Sequence, residues 1–151
     1  MTTVKKEKTC ADKVQDKYDE LVQEFIEAQR YYDIYDHDKN GYIVEAEEIS
    51  KYSPENTDLS NYDDFFSYMN ERGLSFDYVE PDTFNDQSEG YWRFQLSWGG
   101  PSDEFRIYTT CEHSKEIDYI EYWYMDWFDG AKVDADDDII QDICNMFLEV
   151  V

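Results

Sequence analysis

Between Tyr91 and Tyr108 apolar and polar residues alternate with a period of two, the mark of a strand with one buried face. Trp92, Phe94, Leu96 and Trp98 fall on one side, and Arg93, Gln95 and Ser97 on the other. Gly99, Gly100 and Pro101 supply a reversal, and Phe105 and Ile107 resume the alternation beyond it, so the stretch predicts a hairpin with an aromatic face. A different period governs the start of the chain. Val14, Tyr18, Leu21, Phe25, Ala28, Tyr32 and Tyr35 recur at steps of four and three, which predicts a long amphipathic helix whose stripe packs against a sheet.

Further elements follow from shorter patterns. A short helix is expected from about Glu45 to Tyr52, ended by Ser53-Pro54. Ser60 to Asp63 reads as a capping box ahead of Phe65, Phe66 and Met69, with Gly73 ending that helix. Leu74, Phe76 and Tyr78 alternate as a first strand, and residues 81–90 form a loop. Ile117 to Phe128 predicts the last strand, apolar on both faces and ended by Asp129-Gly130, after which Asp134 caps a helix that turns Ile139, Ile140, Ile143, Cys144 and Phe147 inward. The expected fold class is α+β: an antiparallel four-stranded meander with N-terminal helices and a C-terminal helix packed on it. A chain of 151 residues fits a single domain. Within it, residues 1–12 are expected to be flexible, 13–72 helical, and 73–151 to hold the sheet and closing helix.

One loop carries candidate metal chemistry. Asp36, Asp38 and Asn40 place side-chain oxygens at alternate positions, Gly41 allows a sharp turn, Tyr42 offers a backbone carbonyl, and Glu47 supplies a carboxylate that can bind through both oxygens. This spacing resembles the calcium loop of the EF-hand family, and the resemblance implies Ca2+ as a cofactor. Val44 stands where that family usually has a polar residue, and no second loop pairs with the first. A plain turn at Asn40-Gly41, with solvated carboxylates around it, accounts for the same residues.

Composition narrows the function classes. Acidic residues number 37 against 13 basic, for a net charge of -24, and aromatics make up 18% of the chain. That aromatic content argues for a folded domain over an acidic disordered tail. Lys5, Lys6, Lys8, Lys13 and Lys17 balance the acids of residues 1–20, so the whole excess falls on residues 21–151. Cys10, Cys111 and Cys144 are widely spaced and form no zinc or disulfide pattern. With no long apolar run and no leader-like core, a cytoplasmic location without membrane contact is expected. His37 and His113 lie in no nucleophile motif, no phosphate loop follows a strand, and no enzyme is predicted.

Solubility is one explanation of the charge and a salt-loving host a second, against which the nine Lys and many aromatics speak; one divalent ion barely changes it, and a charged partner is the third explanation. Acids one helical turn apart lie about 6 Å from each other, and alternate acids of a strand about 6.5 Å. Asp134, Asp138 and Asp142 along a helix, with Asp136 and Asp137, and Asp118 with acids of neighbouring turns, predict a rigid comb of negative charge. Duplex DNA carries one charge per about 1.7 Å of axis, and the proteins that grip it use Lys and Arg. Such a comb suits the basic cleft of a nucleic-acid-binding protein and has no affinity for nucleic acid itself. Tyr108, Tyr122 and Tyr124, whose pattern leaves a face free, are the candidate aromatic contacts. In size, acidity and aromatic content the chain resembles the small DNA-mimicking anti-restriction and anti-CRISPR inhibitors of phages and mobile elements. Trp98-Gly-Gly-Pro101 and the run from Tyr122 to Asp129 are similar to small proteins of such elements. These motifs are structural and imply an origin in such elements more than an activity; with the charge comb, the expected function is inhibition of a host defence protein, of restriction or CRISPR type.

Overall fold

The structure is a computed structural model and describes residues 8–36, 41, 42, 59 and 61–151. Helix α1 spans Cys10–Ile34, and two short strands follow, β1 (Tyr35–Asp36) and β2 (Gly41–Tyr42). Helix α2 spans Phe65–Arg72. Strands β3 (Ser75–Val79), β4 (Tyr91–Ser97), β5 (Ser102–Thr109), β6 (Ile117–Asp126) and β7 (Asp129–Asp134) come next, and α3 (Asp138–Glu149) closes the chain. The five strands pair antiparallel in chain order as one open meander. The α+β class therefore stands, with five strands in place of the expected four. The predicted helix at Glu45 to Tyr52 lies outside the described residues.

The α1 stripe does what its period requires. Val14, Tyr18, Leu21, Phe25 and Ala28 are all buried, and Tyr18 meets the rings of Phe105 and Tyr122. Beyond Ala28 the buried position is Tyr31, whereas Tyr32 is partly buried and Tyr35 already belongs to β1. Helix α3 buries Ile139, Ile140, Ile143, Cys144 and Phe147, the residues its pattern selects, together with Leu148. Phe147 packs on Phe94 and Phe76 of the sheet and on Phe66 of α2, so the three helices share one sheet face. Burying each such side chain stabilises by about 1.5–3 kcal/mol, which makes this aromatic layer the centre of the fold.

Local chemistry shifts several boundaries. Thr9 and Asp12 form the capping box of α1: the Thr9 N–H donates to the Asp12 carboxylate at 3.0 Å, and the Asp12 N–H to Thr9 Oγ1 at 3.4 Å. At α2 the cap is Asp64, which accepts the Ser67 N–H at 2.7 Å, and the expected box at Ser60 to Asp63 is not used. Gly73 ends α2 where a Cβ would stand 2.3 Å from the Phe94 ring, a close approach that only glycine permits. The sheet departs from strict alternation at a register shift between Gln95 and Ser97. The extra residue turns Ser97 toward Asp103, which accepts its hydroxyl hydrogen, and β4 then ends, so Trp98 is 77% exposed and not part of the inner face.

Candidate partner-binding surface

The sheet face away from the helices carries the charges that sequence alternation assigned to no role. Registers Asp77↔Arg93, Gln95↔Glu104, Arg106↔Glu121 and Trp123↔Lys132 lay acids and bases side by side across the strands. Arg93 holds Asp77 through two bonds of 2.8 and 3.1 Å. Arg106 donates to buried Glu104 at 2.9 Å, with its guanidinium 4.0 Å from the Trp123 ring centre and 5.0 Å from that of Tyr91. Lys132 donates to buried Glu121 at 2.6 Å, and the Trp123 indole N–H donates to the same carboxylate at 3.2 Å. Glu104 and Glu121 are the buried charges of this set, and each has a cation against it, Arg106 well covered and Lys132 half exposed. An open hollow of about 590 Å³ lies over this face, between the sheet and residues 84–89. The two cations in its wall are each held by a carboxylate, and Arg106 covers the Trp123 ring, whereas the buried Gln95 amide nitrogen on the same face has no hydrogen-bond partner.

The tyrosines selected from sequence divide. Tyr122 is 0% and Tyr124 7% exposed, so neither is available to a partner. The inner side of β6 lies under α1, and the Tyr122 hydroxyl donates to Asp103 at 2.7 Å. Burial and that carboxylate push the Tyr122 phenol far up. Tyr108 is half-buried on the opposite face, stacked on Tyr119 with centroids 4.5 Å apart, and burial raises its phenol as well. Tyr119 is more open, and burial plus a 3.1 Å bond to Glu89 raise its phenol to about 12.

The acids selected from sequence are exposed, but their scaffold differs from the expected comb. Asp134 is the last residue of β7, Asp137 occupies the cap position of α3, and the helix begins at Asp138. Asp134, Asp138 and Asp142 therefore do not share one helix, although Asp138 and Asp142 do, one turn apart. Asp118, at the start of β6, lines a separate hollow with Glu89 and Glu112. Asp137 accepts the Tyr18 hydroxyl at 2.7 Å, which fixes the junction against the third turn of α1, and Asp136 lies close enough to act on the same phenol.

Sequence reasoning missed the other end of this row. Asp129, just after the β6–β7 turn, accepts the Cys10 N–H at 2.8 Å, and that bond holds its carboxyl below the usual range. Asp12 is depressed in the same way by its backbone bond to Thr9. Both carboxylates sit at the positive end of α1. The Thr9-to-Asp12 spacing was the available signal for one of them; nothing local announces that Asp129 would arrive there. From Cys10 to Tyr18 the helix rises about 12 Å. Acids thus line one side of the molecule, from Asp12 and Asp129 to Asp136, Asp137 and Asp138, and none of the last four named or Asp142 pairs with a cation within 4.0 Å among the described residues.

Comparison with family models, curated proteins and solved structures gives no match for this chain.

Of the possible calcium loop, Asp38, Asn40 and Glu47 lie outside the described residues. Its flanks pair antiparallel, with Tyr35 opposite Tyr42 and Asp36 opposite Gly41. Among the described residues no group of three or more His, Cys, Asp or Glu side chains is placed to hold a metal ion. No helix among them is long and apolar enough to cross a membrane.

Proposed function

We propose that this protein is a non-enzymatic acidic inhibitor that occupies the basic nucleic-acid-binding site of a host defence protein, of the restriction or CRISPR type. The observation that carries this reading is a row of exposed acids without an ion pair among the described residues: Asp129 at the start of α1, Asp136 and Asp137 beside Tyr18, and Asp138 and Asp142 on α3. Asp138 and Asp142 are about 6 Å apart along the helix, close to two phosphate steps of one DNA strand at about 3.4 Å each. Because the row is fixed to helices and a strand, a basic cleft can meet it without first ordering it. The cations of the sheet, by contrast, are engaged with neighbouring acids and leave the row's field intact.

The test is binding of the purified protein to a guide-loaded CRISPR nuclease and to a restriction endonuclease, each with and without its DNA. Prior occupancy by DNA is expected to abolish binding. Asp136→Asn/Asp138→Asn/Asp142→Asn should weaken it by about tenfold or more, equivalent to ~1.4 kcal/mol. Equal affinity for DNA-free and DNA-bound enzyme would contradict the reading. The Asp36 to Glu47 spacing supports a second, compatible property, calcium binding at that loop. Millimolar calcium is then expected to raise the melting temperature in the wild type and not in Glu47→Gln.

A further inference from the structure

Trp98, Trp127 and Phe128 are 77%, 88% and 103% exposed, and all three lie in turns. Trp98 opens the β4–β5 turn, Trp127 and Phe128 form the β6–β7 turn, and the Ser102↔Met125 register brings both turns to the same end of the sheet. A Cβ built on Gly100 would lie 3.7 Å from the Trp127 indole nitrogen, so the two turns touch. Scattered single apolar residues on a surface need no explanation, but a group of large aromatics does. Trp127 also holds a left-handed backbone, φ 55°, in a turn where glycine or asparagine is the usual occupant. The fold thus gives its most exposed position to the side chains most often found as interface anchors.

We propose that this end of the sheet is a docking knob that inserts Trp127 and Phe128, with Trp98 beside them, into an apolar pocket rimmed by Lys and Arg on the protein partner. The proposal rests on the inhibitor reading and names where the contact is anchored. Charge selects the partner. Asp126 and Asp129 flank the aromatic pair, and neither turn contains a base. A second copy would bring like charge against like, and an anionic membrane would repel the same rim. Asp129 is also the residue that meets the start of α1, so the knob is continuous with the acidic row. Aromatic anchors hold the complex while the acids steer its approach, a division that makes the two contributions separable.

The experiment compares wild type, Trp127→Ala/Phe128→Ala, Trp98→Ala and Asp136→Asn/Asp138→Asn/Asp142→Asn against the same purified CRISPR nuclease and restriction endonuclease across a salt series. The exposed knob variants are expected to keep the wild-type melting temperature. Trp127→Ala/Phe128→Ala should lose on the order of 30-fold in affinity, chiefly through faster dissociation and with an unchanged salt slope. The triple acid variant should lower that slope. If the knob variants bind like wild type while DNA still competes, the knob proposal falls and the inhibitor reading stands. If wild type binds neither enzyme, both fall. Sedimentation of the free protein showing a dimer that the knob variants lose, or partition of wild type onto phosphatidylcholine vesicles, would assign the knob to a second copy or to lipid and overturn the proposal.

Discussion

The helix-free face of the sheet and the side built from α1, β7 and α3 both carry carboxylates, yet they treat them in opposite ways. On the sheet, Glu104 and Glu121 are buried, and each is held by a cation, Arg106 or Lys132. Along the α1 side, Asp136, Asp137, Asp138 and Asp142 are exposed and meet no cation among the described residues. The chain has few bases, and the sheet engages three of them, Arg93, Arg106 and Lys132, with its own acids. A buried carboxylate without a counter-charge would cost several kcal/mol, whereas an exposed one costs little. Burial of Glu104 and Glu121 therefore requires their cations, and on α1 Glu24 is likewise held by Arg72 and Glu20 by Lys17, whereas the acids after β7 and on α3 stay exposed without an ion pair among the described residues.

The sharpest way to break this contrast is Arg106→Ala. It strands buried Glu104 and empties the space between Tyr91 and Trp123, and is expected to destabilise by about 3 kcal/mol in denaturant unfolding. A loss under ~0.5 kcal/mol would mean that the sheet network is not a buried one. A smaller effect separates the end of the acidic row that is tied to a helix. The folded-state carboxyl of Asp129 is depressed by the Cys10 N–H, so its stabilisation is present above the ordinary Asp value of about 3.9 and is lost as pH falls through the depressed one. Asp129→Asn should accordingly melt lower than wild type at pH 6, with the two curves converging under strongly acid conditions. The smallest effect belongs to the exposed acids of α3: Asp138→Asn/Asp142→Asn should change stability by no more than about 0.5 kcal/mol, because relief of repulsion is offset by loss of the favourable acid in the first turn of α3, and by nothing measurable at high salt.

The buried face of this fold was legible because it depends on period. The α1 stripe and the α3 residues Ile139, Ile140, Ile143, Cys144 and Phe147 are buried as their spacing requires. What escaped the pattern has local causes. Strand β7 offers only Ala131 and Val133 as an inner face, and the turn before it is Trp127-Phe128, with none of the residues that usually announce a hairpin. A register shift carried Trp98 out of the core, and the position of α1 covered Tyr122 and Tyr124. The candidate acids were visible as a composition, but their pairing was not. Which carboxylates find a cation depends on strand register, as at Trp123↔Lys132, and on contacts between residues as far apart as Cys10 and Asp129.

The most direct test of the account is the salt dependence of binding to a DNA-free restriction or CRISPR enzyme, measured for wild type and for Asp136→Asn/Asp138→Asn/Asp142→Asn. If the acidic row takes the place of nucleic acid, affinity should fall steeply as salt rises from low to physiological, the acid variant should show a shallower slope, and DNA should displace both. A flat salt dependence, shared by wild type and variant and indifferent to DNA, would contradict it.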